Sequence, residues 1–166
     1  MNRIHKQNKG FTIMEMLGVV LIIGILSAIA IPGYRKAMEK SQLAEGVIGI
    51  RAIETAARER LMSSTRLFET YSLEDLHFSL SSGEMDGSGQ WITKNWTFSI
   101  ASIKDGGTVK AWVVTAQRNT GDLYSLISTI SRGASGSGIT LEHECDDGNT
   151  SMGRYICRYM GGDGWQ

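Results

Sequence analysis

Residues 11–31 read Phe11-Thr12-Ile13-Met14-Glu15-Met16-Leu17-Gly18-Val19-Val20-Leu21-Ile22-Ile23-Gly24-Ile25-Leu26-Ser27-Ala28-Ile29-Ala30-Ile31, with Glu15 the one charged residue. About 20 apolar residues suffice to cross the hydrocarbon of a bilayer as a helix. Met1 to Gly10, ahead of this run, contains Arg3, Lys6 and Lys9 and no acid, and the only proline, Pro32, follows it directly. The whole chain has 166 residues, one domain's worth, with 42% hydrophobic and 20% charged residues and 17 basic against 17 acidic side chains. That balance argues against a disordered tail, a collagen-like fibre and a strongly basic nucleic-acid binder. The unevenness says more than the average. Of 20 glycines, 14 lie from Gly83 onward, and the charges avoid residues 16–34 altogether. A soluble enzyme core does not sort itself this way.

Three readings compete for the apolar run. A basic leader, an apolar stretch and Ala28-Ile29-Ala30 as an A-x-A site describe a secretory signal peptide. A plain transmembrane anchor fits the same length, with the basic leader cytoplasmic under the positive-inside rule. Arg35, Lys36 and Lys40 follow closely and weaken that bias. The third reading starts from Glu15. A carboxylate within a membrane helix costs up to roughly 3 kcal/mol and marks a functional site with an expected partner. Near the start of the run it could also reach the interface. No Lys, Arg or His lies between Phe11 and Gly33, so a partner must come from a chain terminus or another subunit.

The segment Lys9-Gly10-Phe11-Thr12-Ile13-Met14-Glu15 resembles the class III signal of type IV pilins and type II secretion pseudopilins. In that family a short basic leader ends in Gly, Phe follows, and Glu stands four residues beyond the Phe. The run Gly24-Ile25-Leu26-Ser27-Ala28-Ile29-Ala30-Ile31-Pro32-Gly33-Tyr34 is also similar to the pilin helix. The resemblance covers about 30 contiguous residues, with several spacings agreeing at once. It implies cleavage between Gly10 and Phe11 by a prepilin peptidase, methylation of the new Phe11 amine, and pairing of Glu15 with that amine in a filament. Cleavage after Ala30 would discard the whole matching segment, so the secretory reading recedes.

The chemistry agrees with the carry-over. Loss of residues 1–10 removes three basic residues and no acid, leaving 14 basic against 17 acidic side chains. The new amine and the Glu15 carboxylate are each costly alone in a low-dielectric medium and attract strongly when paired. The resemblance further implies an organisation of leader 1–10, transmembrane and filament-core half-helix 11–32, outer half-helix 33–62, connection 63–90, and sheet with a disulfide-closed loop 91–166.

The residues support that plan independently. Residues 33–62 are rich in helix formers, with apolar positions Ala37, Leu43, Val47, Ile50, Ile53, Ala57 and Leu61 close to helical spacing. A single helix from Phe11 to Met62 would be ~78 Å long at ~1.5 Å per residue. Pro32 removes one helical hydrogen bond, and Gly24 weakens the helix nearby, so a kink or a stretchable segment is expected between them. Ala52 stands where the family often has a second proline, which predicts a straighter outer helix. Ser72-Leu73-Glu74-Asp75 has capping-box spacing for a short helical turn, and Ser81 to Gln90 reads as a loop. Beyond it the period becomes two. Trp96, Phe98 and Ile100 alternate with small polar residues, Asp105-Gly106-Gly107 is a turn, and Val109 to Ala116 is the next strand. Leu123 to Ser131 fits helical spacing as well as strand, with the Ser/Thr/Ile content favouring strand. Gly133 to Gly138 reads as a turn or loop, and Ile139 to Cys145 as a strand. The expected fold is α+β: a pilin fold with a long helix, transmembrane in its first half, packed on an antiparallel sheet of about four strands.

Cys145 and Cys157 would face an oxidising compartment if this region is exported. The resemblance favours a disulfide there, closing a dozen-residue loop worth roughly 3 kcal/mol. Two buried thiols are the alternative. No CxxC accompanies them, so no metal site is expected. Asp146-Asp147-Gly148-Asn149 lacks the alternating ligands of a calcium loop and reads as a tight turn.

No catalytic motif is present, and no cofactor is expected. His5 lies in the leader, and His77 and His143 have no evident partner in sequence. The leading expectation is a structural pilus subunit, forming a helical homo-oligomer and handled by the prepilin peptidase and an inner-membrane assembly platform. It would begin as a single-pass inner-membrane precursor with a periplasmic C-terminus and end in an extracellular pilus. A pseudopilin of type II secretion is the alternative, and a DNA-binding competence pilin a further one. Lys94, Lys104, Lys110, Arg118 and Arg132 do not cluster in sequence, so no specific nucleic acid is expected.

Overall fold

The computed structural model describes residues 10–63, 71–80, 82–132, 138–161 and 165. The expected leader, except Gly10, and the turn at 133–137 lie outside them. The chain divides into two compact units, Met1–Glu39 and Lys40–Gln166. In the first unit the described residues are the start of helix α1, which spans Ile13–Ser63 and continues unbroken through Pro32. From Phe11 to Met38 every residue except Ser27 is exposed.

The second unit contains the rest of α1, a six-stranded sheet and a second helix. Within it α1 buries Leu43, Gly46, Gly49, Ile50, Ile53, Glu54, Ala56 and Ala57. Intervals of three and four keep them on one stripe. The strands are β1 (Glu84–Met85), β2 (Trp91–Ile92), β3 (Trp96–Asp105), β4 (Thr108–Arg118), β5 (Ser125–Arg132) and β6 (Ile139–Asp146). They follow one another in sequence order, every pair antiparallel. The core combines Ile50 and Ile53 of α1 with Trp96, Phe98, Trp112, Val114, Leu126 and Ile130 of the sheet.

Helix and sheet meet at two glycines. A Cβ on Gly46 would lie 2.7 Å from the Trp96 ring, and one on Gly49 2.3 Å from the Phe98 ring. The indole Nε1 of Trp96 donates to the helix carbonyl of Gln42 at 2.9 Å. Nearby the helix carries a buried acid. Glu54 Oε1 accepts from the Ser128 hydroxyl of β5 at 2.6 Å and from His143 Nε2 of β6 at 2.7 Å. Arg51 Nη1 lies 3.4 Å from Oε2, and Trp165 stacks on the His143 ring with centroids 4.3 Å apart. Burying a carboxylate is tolerable only with such partners.

Six strands replace the expected four. The two extra, β1 and β2, are two residues each, too short to show alternation. They are closed by Asp86, whose Oδ1 accepts from Gln90 N at 2.7 Å and from Ser88 N at 3.0 Å. The stretch 81–90, expected to be loop throughout, therefore contains β1. Gly106 and Gly107, at φ 56° and 84°, form the two-residue turn between β3 and β4, where left-handed backbone matches the strand twist. The ambiguous stretch is strand β5. Its inward row is Leu126, Ser128 and Ile130, and the buried Ser128 that binds Glu54 is what blurred the apolar alternation.

The tail needs a larger correction, because the expected C-terminal loop contains helix α2, Ser151–Met160. Thr150 caps it by accepting from Gly153 N at 2.9 Å, and Gly161 ends it in the left-handed region at φ 111°. Cys145 of β6 and Cys157 of α2 form a disulfide with Cα atoms 5.5 Å apart.

Candidate assembly site

The site residues expected near the N-terminus lie at the start of α1. Thr12 is the residue before the helix, and Glu15 completes its first turn. Glu15 N donates to Thr12 Oγ1 at 3.2 Å, while Glu15 Oε2 accepts from Thr12 N at 2.9 Å and from the Thr12 hydroxyl at 2.7 Å. This is a capping box, which satisfies helix-end donors reciprocally. The spacing Thr12-x-x-Glu15 carries that signal, which neither pairing with an amine nor reach to the interface takes into account. The carboxylate is held by one oxygen, and no described group hydrogen-bonds to Oε1. Gly10 has no heavy atom within 4 Å of an added Cβ, and Phe11 is 76% exposed.

Beyond the cap α1 is long and apolar enough to cross a membrane. Its most apolar 18-residue window has mean hydropathy 2.5 and is 0% buried. Gly24 and Pro32 both lie inside the unbroken helix, and Gly18, Gly24 and Gly33 have nothing within 4 Å of an added Cβ. No contact among the described residues requires these glycines.

The other singled-out residues separate. His77 is exposed, whereas His143 is half-buried against Glu54, a partner 89 residues away that no local pattern could reveal. Arg118, one of the basic residues that do not cluster in sequence, turns inward and is 3% exposed. Its guanidinium donates to Asn95 O at 2.9 Å, to Thr120 Oγ1 at 3.2 Å and to Gln42 Oε1. The Asp146 and Asp147 side chains accept from Gly148 N and Asn149 N, forming the expected turn. Among the described residues no group of three or more His, Cys, Asp or Glu is placed to hold a metal.

A capped, unshielded apolar helix leading an antiparallel sheet defines a helix-anchored α+β protein. Residues 5–31 match the family model described as the prokaryotic N-terminal methylation motif. A fimbrial protein of Pseudomonas aeruginosa is 29% identical over 131 residues, covering 72% of this chain and 85% of that protein. Fimbrial protein EcpC of Eikenella corrodens is 29% identical over 150 residues, covering 89% and 82%. The type IV major pilin protein PilA of Myxococcus xanthus is 42% identical over 57 residues, covering 34% and 26%. No solved structure matches the chain. The chain therefore carries a prokaryotic N-terminal methylation motif and is similar to fimbrial proteins and, over its N-terminal part, to a type IV pilin.

Proposed function

We propose that the chain is a subunit of a type IV pilus, cut between Gly10 and Phe11, methylated on the Phe11 amine and polymerised through α1. Before assembly the segment 11–32 anchors it in the inner membrane with the C-terminal unit outside the cytoplasm. The observation that carries this reading is the first turn of α1. Thr12 holds one oxygen of Glu15 and leaves the other open at the head of an exposed apolar helix. Cleavage would create a cation one residue before Thr12. In a low-dielectric filament core the open oxygen then has a reason to take up an amine, its own or a neighbour's. Sorting the subunits by this pair would set their axial register. The helix surface from Phe11 to Met38 would be covered by neighbouring helices. The fimbrial proteins among its relatives support the pilus reading, with a pseudopilus of type II secretion the alternative.

Mass spectrometry of sheared surface filaments tests processing. The expected mass starts at methylated Phe11 and lacks two hydrogens for the disulfide. A chain retaining residues 1–10 in filaments would refute it. Glu15→Ala should keep the subunit in the membrane and lower filament yield roughly tenfold or more, since an unpaired amine in low dielectric costs several kcal/mol. Wild-type yield in that variant would remove the proposed role of Glu15.

A further inference from the structure

The middle of the sheet's outer face is uncharged, and its edge strand β6 is acidic. On β3, β4 and β5 the central outward residues Thr97, Ser99, Ala101, Val113, Thr115, Gln117, Ser125, Ile127 and Thr129 are uncharged, and the exposed Lys104, Asp105 and Lys110 lie toward the β3–β4 turn. On β6, at the sheet edge, the outward residues include Glu142, Glu144 and Asp146, all exposed. Their cross-strand neighbours are Thr129, Ile127 and Ser125, so no cation opposes them. Asp146 is engaged in its turn through Gly148 N. The carboxylates of Glu142 and Glu144 have no ion pair or hydrogen bond among the described residues.

The helix that follows carries the opposite sign. On α2, Ile156, Cys157 and Gly153 face inward, and Arg154 and Arg158 share the exposed face. Arg154 reaches only the neutral Asn149 Oδ1, at 3.3 Å, and Arg158 has no partner among the described residues. Residues four apart on a helix are about 6 Å apart, and alternate residues on a strand are about 7 Å apart. The two arginines therefore match the two glutamates in sign, number and spacing. Charges on an edge strand deter strand pairing, and acids alone serve that purpose. Edge protection does not account for an unpaired arginine pair at the same spacing.

We propose that the Arg154–Arg158 face of α2 on one copy of this chain docks against Glu142 and Glu144 of β6 on a second copy. The proposal rests on the filament reading above and adds a contact between the C-terminal units. Two different patches joined between copies make a heterologous contact. Such a contact propagates as an open helix unless its rotation closes a ring. Arg–carboxylate pairs give the contact orientation and register more than raw affinity.

Charge reversal in the full chain tests it. Glu142→Lys with Glu144→Lys, or Arg154→Glu with Arg158→Glu, should each lower sheared-filament yield roughly tenfold, as like charges then face each other. All four changes together should restore yield to within about threefold of wild type, by the same complementarity. Oxidised Cys145–Cys157 in the membrane pool serves as the folding control. Unchanged yields, or no rescue in the fourfold variant, overturn the proposal. So does unchanged assembly with altered attachment to other surfaces, which would assign the acidic row to an external basic partner. If the wild-type chain makes no filaments, the filament reading fails by itself. Sedimentation of the full chain in detergent then decides: salt-sensitive association lost in each reversal and regained in the fourfold variant upholds the contact, and its absence overturns it.

Discussion

The two ends of α1 are one helix by hydrogen bonding and two materials by packing. From Ile13 to Met38 it is exposed and, apart from Glu15, Arg35 and Lys36, uncharged, with Ser27 the one partly covered residue. From Lys40 to Ser63 it is striped, burying Leu43, Ile50, Ile53 and Ala57. Glycines show the difference most directly. Gly18 and Gly24 have open space where a Cβ would stand, while Gly46 and Gly49 would drive one into Trp96 and Phe98. The carboxylates differ in the same way. Glu15 is held locally by Thr12 with one oxygen open, and Glu54 is enclosed by groups from α1, β5 and β6. The second half of the helix packs within the chain, whereas the first half stays exposed.

The largest effect that could sharpen this comparison is at the buried acid. His143→Ala should cost roughly 3 kcal/mol, because it leaves Glu54 buried with a partner missing. Chemical unfolding of the full chain in detergent, followed by tryptophan fluorescence, measures it. A loss below about 1 kcal/mol, the scale of an exposed pair, would mean that the enclosure is not holding the unit together.

The glycines come next. Gly49→Ala should destabilise the second unit by about 1–3 kcal/mol through overpacking, which outweighs the helix propensity alanine gains. Gly24→Ala should leave that unit's unfolding midpoint unchanged. Equal effects at the two positions would break the distinction between the halves.

The smallest effect lies at the turn between β1 and β2. The Ser88 hydroxyl first, then the Gln90 N–H, holds the Asp86 carboxyl below its ordinary value of 3.8. A lowered carboxyl stabilises the fold above the unfolded value and loses that contribution as pH falls through the folded one. The stability difference between wild type and Asp86→Ala should therefore be constant above about pH 5 and shrink below the ordinary aspartate range. Acid titration of unfolding in both proteins checks the sign. Because Asp86 is only half-buried at the turn, where solvent screens its charge, the difference should be slight.

Much of this arrangement was legible in local patterns. Helical spacing announced α1, and period-two alternation announced β3 and β4. Strands of two residues, as in β1 and β2, have no period to read. Helix α2 was missed although Thr150 and Gly161 mark its ends, because the cysteine loop drew the reading toward irregular structure. At the candidate site, Gly10, Phe11 and Glu15 stood out from the basic leader and the lone charge. The capping role of Thr12 was equally visible in its spacing to Glu15 and was overlooked, since a carboxylate in an apolar run invites a distant partner first.

The sequence by itself determined the long helix, the apolar character of its first half and the sheet-forming tail, because these depend on neighbours a few residues away. Only the tertiary structure decided that Gly46 and Gly49 are seats for aromatic rings, and that Glu54 meets Ser128 and His143 across 74 and 89 residues. It also decided that Arg118 turns inward while Arg154 and Arg158 remain outside. Those facts depend on which distant segments share a surface, and chain closure over such separations leaves no trace in local spacing.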